Sequence, residues 1–197
     1  MNAPAADKTR KAWGMLRGLV AMALISACAS SSVDYVHRKY DFSLVQKVAV
    51  LPLENLSTDQ LAGERVRKSV VSELLAAGVL DVIETAQVNR VLGEQQIQSV
   101  SSMSAKQIQE VAKGLGVQAL VVGSVDAYDR INVGGGSFAE VAVTLRAVDA
   151  ATGEIVWSTS KSAGGAGVMG RLFGFGGDSM HEATQKAVRA AVATLFQ

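Results

Sequence analysis

Between Phe138 and Ser160 the chain alternates apolar and polar positions with a period of two. Ala139, Val141, Val143, Leu145 and Ala147 fall on one side, with Glu140, Thr144 and Arg146 between them, which predicts a strand with one buried face. Asp149 and Gly153 then frame a short turn, since Asp bonds forward to the backbone and Gly accepts positive φ. Glu154–Ser160 is expected to return antiparallel, with Ile155 and Trp157 on one face. A lone hairpin is marginal in water, so the upstream chain must supply the surface that buries it.

The upstream pattern predicts that surface. Lys47–Leu53 is a short β-branched run ended by Pro52, and Ala119–Ala127 is a second such run; both read as strands, as does Leu80–Glu84. Between them lie helical stripes: Val66, Val70 and Leu74 ending at Gly78; Val88, Val91 and Leu92 within Ala86–Gln96; Ile108, Val111 and Ala112 ending at Gly114 or Gly116. A last stripe runs from Ala183 through Val188 to Leu195. Ser57 with Gln60, Ser104 with Gln107 and Ser179 with Glu182 have capping-box spacing and are expected to open the first, third and last of these helices. The order β-α-β-α-α-β-β-β-α predicts an α+β (α/β-like) fold, a mixed β-sheet with helices packed on it.

The first 27 residues carry a different pattern. Lys8, Arg10, Lys11 and Arg17 precede the apolar run Gly18–Ala27, and small residues lead into Cys28. This is the layout of a secretory signal, and ten apolar residues fall short of the ~20 that span a bilayer. Ile25, Ser26, Ala27 and Cys28 resemble a bacterial lipobox, so Cys28 is the expected lipid attachment site. Ala29 in place of Asp implies sorting to the outer membrane, at its periplasmic face. Residues 28–46 read as the lipidated N-terminus and tether, and 47–197 as the domain. Cys28 is the only cysteine, so no intrachain disulfide forms.

Charge alters the picture little. The chain has 19 basic and 18 acidic residues, and setting aside 1–27 leaves 15 and 17. A near-neutral domain without a basic cluster argues against nucleic acid as a partner.

Three segments, KVAVLPLENLS (Lys47–Ser57), LGVQALVVGSVDAYD (Leu115–Asp129) and VTLRAVDAATGEIVWSTS (Val143–Ser160), resemble the CsgG family of curli-secretion lipoproteins and its wider LpoB-like relatives. The resemblance implies a non-enzymatic, outer-membrane-anchored lipoprotein that forms a homo-oligomer and serves export or assembly of a surface polymer with other envelope proteins. The alternative it allows is an LpoB-like activator of a peptidoglycan synthase. In the secretion channel two long insertions build the membrane barrel. Here their places hold only Arg130–Ser137 and the glycine-rich Ala163–Gly177, each too short for paired membrane strands of ~9 to 11 residues, so the chain is not expected to form its own pore.

Few residues invite chemistry. Gly165, Gly167 and Gly170 match GxGxxG, but the next helix begins nine residues later and no strand follows to supply an acidic ribose ligand. No cofactor is implied. His37 and His181 lack companions at metal spacing, and Asp126, Asp129, Asp149 and Glu154 fit turns and strand ends better than acid–base roles. No catalytic or metal-binding residue is assigned. In the glycine-rich segment Val168, Met169, Leu172, Phe173 and Phe175 flank Arg171. Two placements fit: burial against another subunit, partner or lipid, and folding back over the sheet. The family resemblance favours an oligomer contact through Met169, Arg171, Leu172, Phe173 and Phe175.

Overall fold

The computed structural model describes residues 34–133, 136–165 and 177–196. The expected leader with Ile25, Ser26, Ala27 and Cys28, and the segment carrying Val168, Met169, Arg171, Leu172, Phe173 and Phe175, lie outside them. The elements are β1 (Asp34–Val36), β2 (Lys47–Val50), β3 (Glu54–Asn55), α1 (Ala62–Ala77), β4 (Asp81–Val82), α2 (Thr85–Glu94), α3 (Ala105–Leu115), β5 (Ala119–Val133), β6 (Gly136–Asp149), β7 (Ile155–Gly164) and α4 (Met180–Ala193).

These seven strands form one mixed sheet in the order β1-β7-β6-β5-β2-β4, with β3 beside β5. β2 lies parallel to β4 and β5, whereas β5, β6, β7 and β1 pair antiparallel. The expected mixed α+β sheet with packed helices is therefore what forms. β1 and β3 are additions to the expected order, because two- and three-residue strands are too short to show a period.

Both sheet faces carry helices. Val66, Val70 and Leu74 of α1 and Ala183, Ala187, Val188 and Ala191 of α4 pack on Val121, Val141, Val143, Leu145 and Trp157. On the other face Val88, Val91 and Leu92 of α2 and Val111, Ala112 and Leu115 of α3 cover Ala49, Leu51 and Leu120. All five alternating positions of β6, Ala139 to Ala147, are buried as the pattern required.

Several local expectations are corrected. Ile155 and Trp157 do not share a face: Ala147 pairs with Trp157 and Val148 with Ile155, so Val156 is an extra residue, a β-bulge that turns Ile155 outward at 41% exposure while Val156 and Trp157 are buried. The segment from Arg130 is not a loop, since Arg130–Val133 pairs with Gly136–Ala139 and lengthens the β5–β6 hairpin. Asp126 and Asp129 consequently sit inside β5 rather than at its end. Leu80–Glu84 supplies strand only at Asp81 and Val82, because Glu84 leaves the sheet to cap α2, its carboxylate accepting the Ala86 (2.6 Å) and Gln87 (3.3 Å) N–H groups.

The Ser57–Gln60 box does not form either. α1 begins at Ala62 with no side-chain cap; the Ser57 hydroxyl donates to Asn55 Oδ1 (2.7 Å), and Asp59 takes the Leu61 N–H (2.8 Å) and the Arg65 guanidinium (2.7 Å). The other two boxes form as expected, opening α3 and α4. Left-handed glycines close α1 at Gly78 and α3 at Gly116.

Candidate interaction site

At one end of the sheet β2 and β5 begin, β6 ends and β7 begins, and the chain from 37 to 46 crosses that end. The His37 N–H donates to the Val156 carbonyl (2.8 Å), and Gln118 Oε1 accepts the N–H groups of Gln46 (3.2 Å) and Lys47 (2.8 Å). In between, the Tyr40 hydroxyl donates to Asp149 Oδ2 at 2.8 Å, and Phe42 packs edge-on against Tyr40 with ring centres 4.8 Å apart. This strap leaves an apolar groove of about 540 Å³, walled by Tyr40, Phe42, Val45, Val79, Leu80 and Phe196. Its rim is exposed: Val36 at 40%, Val79 at 62% and Phe196 at 43%.

The turn of the β6–β7 hairpin holds the strap. Asp149 Oδ1 accepts the backbone N–H groups of Ala151 (3.0 Å) and Thr152 (2.8 Å) and the Thr152 hydroxyl (2.9 Å), and Gly153 closes the turn at φ 76°. Partial burial pushes the Asp149 carboxyl up, but hydrogen bonds from Thr152, Tyr40 and Ala151 outweigh it and hold it below its ordinary value. Burial raises the Tyr40 phenol well above its ordinary value, with the bond to Asp149 and its charge adding in the same direction.

The other carboxylates considered from the sequence are placed apart from this groove. Asp126 is the extra residue of a bulge in β5 and accepts the Ser124 (2.5 Å) and Thr144 (2.6 Å) hydroxyls. Asp129 accepts the Thr58 hydroxyl, and Glu154 follows the hairpin turn. His37 lies on the strap and His181 in the exposed first turn of α4. The residues assigned to an oligomer contact, Met169, Arg171, Leu172, Phe173 and Phe175, lie outside the described residues.

Sequence reasoning missed the groove because its walls come from apolar residues lying just outside element ends: Val79 and Leu80 after the C-cap of α1, Leu195 and Phe196 after α4, Tyr40 and Phe42 ahead of β2. Val79–Leu80 and Leu195–Phe196 share one signal, an apolar pair following a helix end. Also missed was Arg67 of α1, fully buried, whose Nε and Nη2 donate to the Val50 carbonyl at 3.0 and 2.9 Å while Nη1 reaches Asn89 Oδ1 at 3.0 Å.

The fold is found in other proteins. The PelC dodecamer from Paraburkholderia phytofirmans is 16% identical, with 84% of this chain and 98% of that chain covered at a TM-score of 0.57. Lipoprotein GNA1162 from Neisseria meningitidis is 20% identical, with 60% and 81% covered at a TM-score of 0.52. No curated protein sequence matches the chain. The family described as the curli production assembly/transport component CsgG matches residues 39–197, which is most of the chain and runs from the strap to the last helix. This chain belongs to the CsgG family.

Proposed function

We propose that the protein is a lipoprotein of the cell envelope, anchored through acyl chains on Cys28 to the periplasmic face of the outer membrane. It assembles there as a homo-oligomeric scaffold for export or assembly of a surface polymer, and is not itself the pore. Ile25, Ser26 and Ala27 form the processing signal, and Met169, Arg171, Leu172, Phe173 and Phe175 contribute to the contact between subunits.

Family membership supports the envelope role, and the PelC relative of the same fold is a dodecamer. The observation that carries the non-pore part is the length of the β5–β6 hairpin. Among the described residues, beyond the last β6–β7 pair, Glu140 with Gly164, only Arg130–Val133 and their partners Gly136–Ala139 continue. Four rungs extend roughly 13 Å at ~3.3 Å per residue, about half of the ~25 Å apolar band of an outer-membrane barrel. Asp34 of β1 is already paired with Thr159, so only residues 29–33 separate Cys28 from the sheet, which supports a domain held close to its membrane.

Native mass spectrometry of the lipoprotein in detergent tests the assembly; a single discrete multimer is expected, and a strict monomer at high concentration overturns the scaffold reading. In fractionated cells Cys28→Ser should move the folded protein from the membrane to the soluble periplasm, and a variant that stays with the membrane removes the lipid anchor from the account.

A further inference from the structure

The apolar groove and the glycine-rich segment sit at opposite ends of one strand. The groove takes Val156, at the start of β7, and Leu195 and Phe196, just after α4. The segment 166–176 leaves from Gly165, after the end of β7, and returns at Gly177, which lies against Phe138 near the far end of the β5–β6 hairpin. From Val156 to Gly164 is eight steps of β7, roughly 26 Å at ~3.3 Å per residue. The 14-residue helix α4 runs back toward the groove for roughly 20 Å at 1.5 Å per residue, and residues 177–179 ahead of it add to the span. Eleven residues tethered at both ends reach out at most roughly 20 Å, so a subunit's own segment falls short of its own groove.

The two are nevertheless matched in chemistry. The segment offers Val168, Met169, Leu172, Phe173 and Phe175, and the groove offers an apolar volume within the ~300–1,000 Å³ range that takes specific ligands, with an exposed apolar rim. We infer that residues 166–176 of one copy seat in the Tyr40–Val79–Phe196 groove of the next. A segment leaving one pole and entering a groove at the other is a heterologous, head-to-tail contact, which closes into a ring when the rotation permits. The inference rests on the homo-oligomer proposed above and identifies the surfaces that make it.

The chain has a single cysteine, Cys28; with its sulfur acylated as proposed above, introduced cysteines are the only free thiols. Val79→Cys on one copy and Leu172→Cys on a differently tagged copy, mixed under oxidation, should form a disulfide joining the two tags. The same Leu172→Cys paired with Leu75→Cys on the exposed side of α1 should not. In parallel Val79→Asp, at a position already 62% exposed, should leave the far-UV circular dichroism of the folded domain unchanged while the multimer falls to monomers and the melting temperature loses its dependence on protein concentration. A multimer that survives Val79→Asp intact and gives no 79–172 disulfide overturns the groove assignment and leaves the scaffold reading standing. A wild-type protein that never assembles overturns both.

Discussion

Arg67 shows how a single buried charge is accommodated. β4 pairs with β2 only as far as Val48 with Val82, and the Val48 carbonyl accepts from Ile83 N–H. Two residues on, the Val50 carbonyl points the same way by the strand's alternation, past the end of β4, where the Arg67 guanidinium meets it with two N–H groups. Burial lowers the Arg67 pKa from its ordinary value, offset in part by Glu64. Arg67→Met keeps much of the volume but strands that carbonyl, so a loss of about 1–3 kcal/mol in urea denaturation is expected; an unchanged midpoint would show that another group serves Val50. Trp157 is buried at 1% exposure, with its indole N–H donating to Thr194 Oγ1 at 3.1 Å, and Trp157→Ala should cost roughly 3–5 kcal/mol in the same assay. The Tyr40–Asp149 pair gives a pH signature on both limbs. The raised Tyr40 phenol contributes stability that is present below its unfolded value of 10.0 and lost as pH rises through the higher folded value. The lowered Asp149 carboxyl contributes stability present above 3.8 and lost as pH falls through its folded value. Thermal melts of Tyr40→Phe should therefore lose less stability above pH 10 than the wild type, and those of Asp149→Asn less in acid; parallel wild-type and variant curves would dissociate the pair from the pH dependence.

The hairpin turn between β6 and β7 is also a contact with α3. A Cβ on Gly153 would stand 2.9 Å from the Ala105 Cβ, and the backbone there has φ 76°, so Gly153→Ala combines a strained conformation with a clash. A loss exceeding the ~0.4–1 kcal/mol scale of ordinary glycine effects is expected, measured by chemical denaturation; a neutral result would mean the turn rearranges freely. This element was legible in the sequence because Asp149, Gly153 and the period-two run are local signals. The capping boxes at Ser104 and Ser179 were legible for the same reason. Ser57–Gln60 has the same spacing and failed, because Asn55 in β3 competes for the Ser57 hydroxyl and Asp59 takes over the first turn of α1, and β3 exists only through its pairing with Ser124 and Val125 far along the chain. The bulges at Asp126 and Val156 were equally hidden, since the residue a ladder skips depends on its partner strand. The groove is a third case: its floor is made of strand residues such as Val48, Val121 and Val156, but the outer walls Tyr40, Val79, Leu80 and Phe196 lie outside the strands and α-helices, so no periodicity announces it.

For the whole molecule the decisive quantity is how far the sheet extends past its helices. β5 and β6 run on together for four rungs beyond β7, and the rungs are not built for lipid: the Arg130 side chain lies along the ribbon, donating from Nε to Ser137 Oγ at 3.1 Å and from Nη2 to the Ser137 carbonyl at 3.1 Å. A membrane hairpin alternates an apolar outer face over ~9–11 residues in each strand, and an arginine at mid-depth facing lipid costs ~2–4 kcal/mol. In this ribbon an arginine–serine pair occupies part of an already short reach. A ring of such hairpins would stop well short of the opposite surface, whatever the number of subunits. If the protein is the lipidated multimer proposed above, its reconstitution into planar bilayers should accordingly leave conductance at the level of protein-free membranes while the protein remains bound to them. Stepwise channel openings would require the β5–β6 hairpins to rearrange into longer membrane-spanning strands, or other parts of the chain to supply them, and would overturn the scaffold account in favour of a pore.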